Sequence, residues 1–132
     1  MEDMDSLIRE FTQKRVWAVV GVSTNPEKYG HKIFDNLSAA GYTVYGINAR
    51  GGELDGSKLY TSLGDLPVVP DVVDMVVPPA ATEQVVRECA ELGVTRVWMQ
   101  PGSESEAAIQ FCRDHGIAVI HDACAMIHRR SW

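Results

Sequence analysis

Four short stretches carry residue types that could do chemistry. In "VVGVSTNPEKYG", Gly21 is followed by the hydroxyls of Ser23 and Thr24 and the cation of Lys28. Free backbone N–H groups in such a loop, backed by the positive end of a helix dipole, suit a phosphate or pyrophosphate. The stretch has neither the three glycines of a dinucleotide fingerprint nor the closing Gly-Lys-Ser/Thr of a P-loop. It also has an ordinary reading, a strand–helix turn in which Gly21 relieves crowding and Ser23 or Asn25 caps the helix.

The second stretch is "NAR", Asn48 to Arg50. A site for NAD usually places an acidic residue here, on the ribose diol. An arginine suits an extra ribose phosphate instead, as in NADP or coenzyme A, or is merely solvated in a glycine-rich loop. The third, Pro78-Pro79, offers no N–H donors; it either walls an apolar part of a ligand or simply ends a strand. The fourth, "QPGSES", presents the Gln100 amide and a turn, with an ordinary Pro-Gly turn beside a buried Trp98 as the alternative. In the tail, His121, Cys124 and His128 match no standard zinc spacing, and they read as a packed thiol with exposed histidines. His31 and His115 read as surface residues on helices.

The elements that must position these loops alternate in type. Apolar periodicity predicts helices over 4–12, 31–40, 82–92 and 104–115, with Thr82 as an N-cap and a last helical turn after Asp122. Apolar runs predict strands over 16–22, 43–47, 72–77, 96–99 and 117–120, a minor strand over 59–61, and a polar loop over 51–57. Alternation of this kind means an α/β chain with a parallel sheet. The expectation is a Rossmann-like three-layer sandwich with a mostly parallel sheet of about five strands, a flavodoxin-like order being the competitor. In either, the four loops lie beyond the carboxyl ends of strands, where open α/β sheets bind ligands.

Bulk properties bound the answer. The chain has 132 residues and reads as one domain, an N-terminal helix over 1–15 and a core over 16–128. A formal net charge of −6 argues against nucleic acid as a partner, since that needs a basic surface. No apolar run reaches the length of a membrane span, and the acidic N-terminus does not read as a signal peptide. Cys89, Cys112 and Cys124 are odd in number and widely spaced, which points to a reducing, cytoplasmic setting.

Taken in order, "GVSTNPEKYG", "GYTVYGINAR", "LYTSLGDLP", "VDMVVPP", "LGVTRVWMQPGSES" and "DACAMI" resemble the small stand-alone CoA-binding domain family. That family is related to the CoA-binding domain of the succinyl-CoA synthetase alpha subunit and of ADP-forming acyl-CoA synthetases. The resemblance spans residues 16–128. It implies a Rossmann-type fold holding coenzyme A or an acyl-CoA across the strand ends. Gly21, Val22, Ser23, Thr24 and Lys28 would then meet the phosphates, Asn48, Ala49 and Arg50 the nucleotide, and Val77, Pro78 and Gln100 would line the site. The family often has Asn-Pro where this chain has Asn48-Ala49. The phosphohistidine domain of the synthetases has no counterpart here, so ligase activity does not carry over. The expected function is binding without evident catalysis, alone, as a homodimer or beside a partner enzyme subunit. The alternatives are a small NADP-dependent reductase and the nucleotide-binding subunit of a two-chain acyl-CoA synthetase.

Overall fold

The computed structural model describes residues 3–132. A seven-stranded sheet runs in the order β3-β4-β2-β1-β5-β6-β7. Its strands are β1 (Val16–Val20), β2 (Thr43–Ile47), β3 (Glu53–Leu54), β4 (Ser57–Tyr60), β5 (Val72–Met75), β6 (Arg96–Met99) and β7 (Ala118–Ile120). Every pairing is parallel except β3 with β4. With the β3 edge set aside, this is the Rossmann order, and it excludes the flavodoxin-like one.

β1 pairs with β2 on one side and β5 on the other, so it is covered on both edges as well as both faces. That is why "VWAVV" is uniformly apolar: from Trp17 to Val20 it is buried. Among the described residues five α-helices sheathe the sheet: α1 (Met4–Thr12), α2 (Tyr29–Ala39), α3 (Pro79–Leu92), α4 (Glu106–Asp114) and α5 (Ala125–His128). One core, around Trp17, Val19 and Trp98, lies under α1, α2 and α5. The other, around Ala18, Val73 and Met99, lies under α3 and α4. The three-layer arrangement therefore follows from alternate residues of each strand facing opposite helical layers.

Several local expectations need correction, among them the strand expected over 16–22, which ends at Val20, and the helix expected from 31, which starts at Tyr29. The stretch expected as a polar loop contains β3 and the turn Asp55-Gly56, whose φ angles of 49° and 83° form a tight antiparallel hairpin with β4. The strand expected over 72–77 ends at Met75. The following helix starts at Pro79, not Thr82, because a proline fits the first helical position, where no N–H partner is needed. Thr82 is thus inside the first turn and fully buried, and its hydroxyl has no partner among the described residues. Among the described residues no helix is long and apolar enough to cross a membrane.

Candidate functional site

The strand order reverses at β1, and a cavity of about 630 Å³ opens there, beyond the carboxyl ends of β1, β2, β4 and β5. That volume falls in the usual range for a small-molecule site. Its floor and walls include Gly21, Val22 and Ser23 after β1, Asn48 and Ala49 after β2, and Val77 after β5. Six of the eleven residues singled out in the sequence therefore converge on one wall. Thr24, Lys28, Arg50 and Pro78 are exposed and outside the lining.

Close backbone packing shapes the loop after β1. Gly21 sits at φ 104°, and a Cβ there would land on the carbonyl oxygen of Val76, just after β5. Gly30, in the first turn of α2, has ordinary helical geometry, but a Cβ on it would land on the carbonyl oxygen of Gly21. These two glycines let α2 approach the switch point of the sheet. The backbone N–H groups of Gly21 and Val22 both donate to the Ile47 carbonyl, at 2.9 and 3.0 Å. Asn48 completes the link, its Nδ2 donating to the Val22 carbonyl at 2.7 Å and its Oδ1 accepting from Arg50 N at 2.8 Å. The first two loops are thereby one hydrogen-bonded unit.

What remains unspent is the donor set. Ser23 Oγ accepts from Asn25 N at 3.0 Å, which leaves its own O–H to donate. The backbone N–H groups of Ser23 and Thr24 have no acceptor among the described residues. α2 begins after Lys28 with no side-chain cap, so its first-turn N–H groups are also open, at the positive end of the helix dipole. Together these groups can take an anion.

Sequence reasoning missed the opposite wall. Ala81, Gln84, Val85 and Glu88 recur at helical spacing and present one face of α3 to the cavity. Glu88 Oε1 accepts from Leu63 N at 3.2 Å, which fixes the turn that carries Thr61 and Ser62. The i, i+3, i+4, i+7 spacing was the available signal.

Gln100 does not face this cavity. It is fully buried, its Nε2 donating to both Asp74 carboxylate oxygens at 2.8 and 2.9 Å. Its Oε1 accepts from Ala125 N at 3.3 Å and so pins α5 to the sheet. Burial pushes the Asp74 carboxyl well above the ordinary carboxylate range, against the opposing effect of the Gln100 hydrogen bond. His31, expected at the surface, is buried. Cys89 and Cys112 are fully buried, and burial raises both thiols, Cys112 to about 12. Cys124 is nearly buried and lies 2.8 Å from the Tyr29 hydroxyl, which burial and that thiol raise to about 12. Among the described residues, no three His, Cys, Asp or Glu side chains converge where a metal would fit.

Known proteins resemble this chain in sequence and in fold. The alpha subunit of an ADP-forming acetate–CoA ligase II from Pyrococcus furiosus is 30% identical over 128 residues, covering 89% of this chain and 28% of that subunit. The chain thus spans little more than a quarter of that relative. The Bacillus subtilis protein YneT is 30% identical over 122 residues, covering 91% of this chain and 90% of that one. Among solved structures, a conserved hypothetical protein from Pyrococcus furiosus superposes with a TM-score of 0.82 at 39% identity, covering 86% of this chain and 97% of that one. The profile described as "CoA binding domain" matches residues 15–130. With nearly its whole length matched by that profile, the chain belongs to the CoA-binding domain family.

Proposed function

We propose that the chain binds coenzyme A or an acyl-CoA in the cavity at the switch point. In this reading the phosphates meet Ser23, Thr24, Lys28 and the first turn of α2. Arg50 reads the ribose phosphate, and the nucleotide lies along Asn48, Ala49, Val77 and Pro78. The observation that carries it is the set of unspent donors on the loop after β1, beside a mostly apolar cavity, in a chain of this family. Binding is the whole of the proposed activity.

A second reading is favoured by the ligase subunit that the chain resembles. Here the chain would be the nucleotide-binding part of an acyl-CoA synthetase, with catalysis supplied by other domains. An NADP reductase is the competing ligand class, because Arg50 would suit either extra phosphate.

Calorimetric titration separates coenzyme A from NADP as the ligand. Coenzyme A should bind one to one, and NADP should neither bind comparably nor displace it. Dephospho-CoA should bind about tenfold more weakly, the usual loss for one charge-assisted hydrogen bond. In Arg50→Ala coenzyme A and dephospho-CoA should bind alike. Equal discrimination by both proteins would move the reader's role to Lys28 or Lys32.

A further inference from the structure

His31 is the third residue of α2 and reaches back eight residues along the chain. Its Nδ1 lies 2.8 Å from the carbonyl oxygen of Ser23. Its Nε2 lies 3.2 Å from Asp35 Oδ2, one turn further along the helix, and only 10% of the imidazole is exposed against 51% of the Asp35 side chain. A carbonyl oxygen can only accept, so Nδ1 carries a hydrogen whether the ring is charged or neutral. The contact with Asp35 can loosen into solvent; the contact with Ser23 is the more sheltered one, part-buried.

The Ser23 carbonyl and the Thr24 N–H belong to one trans peptide unit, in which the two bonds point in opposite directions. Holding the carbonyl against His31 therefore fixes where the Thr24 N–H points, which is away from the imidazole. That N–H has no acceptor among the described residues. Without the tie, the peptide could turn over, offering an incoming anion a carbonyl oxygen in place of a donor. We infer that His31 is a positioning residue that locks the Ser23–Thr24 peptide with its donor side outward, and that ligand affinity depends on this lock. The last step rests on the reading of the cavity as a coenzyme A site; the lock itself does not.

Two near-isosteric variants divide the ring's contacts. The amide nitrogen of Asn falls close to the position of Nδ1, and that of Gln close to Nε2. His31→Asn should keep the tie to Ser23, and His31→Gln should lose it. In ligand-free protein, the backbone amide signals and 15N relaxation of Ser23 and Thr24 should stay near native in His31→Asn and depart in His31→Gln. In the native protein, where the imidazole 15N spectrum itself shows the ring neutral, it should place the proton on Nδ1. Coenzyme A should bind His31→Asn within about twofold of native and His31→Gln about fivefold more weakly, the loss typical of one hydrogen bond. A proton on Nε2 in the neutral ring would overturn the lock, and so would equal loop responses in the two variants. Unchanged affinity in His31→Gln, with the loop displaced, would overturn its link to binding. If the loop responds as expected and native protein ignores coenzyme A, the lock stands and the ligand reading fails.

Discussion

Gly21→Ala is expected to be among the most damaging single substitutions in the chain, lowering the unfolding midpoint by about 10 °C. Two costs add. An alanine at φ 104° is held in a backbone region that side chains rarely occupy, at about 1–2 kcal/mol. Its Cβ would also overlap the Val76 carbonyl and come within 2.9 Å of Val77 Cγ1, adding overpacking of about 1–3 kcal/mol. A total of about 3 kcal/mol corresponds to about 10 °C for a domain of this size. Gly30→Ala separates the two causes. Its backbone is already helical, where alanine is normally favoured by about 1 kcal/mol over glycine. The overlap with the Gly21 carbonyl remains, so the net effect should still be a loss, of about 2 kcal/mol or less. Thermal unfolding of both variants checks this. A stabilising Gly30→Ala would contradict the close seating of α2 on Gly21. Both variants should also weaken ligand binding while folded, since the loop that carries Ser23 and Thr24 starts at Gly21.

The second large effect is a dependence of stability on pH set by Asp74. In the unfolded chain its carboxyl titrates near the ordinary value of 3.8; in the folded protein burial raises it well above that. Between those two values the folded state holds a proton that the unfolded state has released. The contribution is therefore fully present below the unfolded value and is lost as pH rises toward the folded one. The slope for one such proton approaches about 1.4 kcal/mol per pH unit. Asp74→Asn keeps an oxygen to accept from Gln100 and removes the titration. Urea unfolding of both proteins from acid to neutral pH should show the variant gaining on the native chain as pH rises. Tyr29, Cys89 and Cys112 also titrate high in the fold, but they leave this window untouched. Parallel curves for the two proteins would mean that Asp74 is not held neutral.

Much of the fold was legible because local signals agreed with the global one. α1 spans 4–12 as read, because Asp3 caps it by accepting from Ser6 N at 2.8 Å and Leu7, Ile8 and Phe11 share one face. The hairpin of β3 and β4 escaped because its strands are too short and polar for alternation to register, although Asp55-Gly56 is a hairpin turn signal. The start of α3 escaped because a double proline reads equally as a strand's end or a helix's beginning. At the site, the loops after β1, β2 and β5 were visible as sequence, since the fold brings strand ends together by rule. Gln100 was placed at the ligand because its side chain's true partner, Asp74, sits on a neighbouring strand 26 residues away. The inward turn of His31 was hidden for a related reason. Its partner is a main-chain carbonyl, which no residue type announces.

The most direct test of the account is a map of backbone amide shifts as coenzyme A is added to 15N-labelled protein. The account predicts saturable changes concentrated at residues 21–24, 28–31, 48–50 and 77 and along the cavity face of α3, with Leu7, Arg96 and Arg113 at the far end of the sheet unmoved. Saturable binding that instead moves Leu7, Arg96 and Arg113, or no change at any concentration that dissolves, would contradict it.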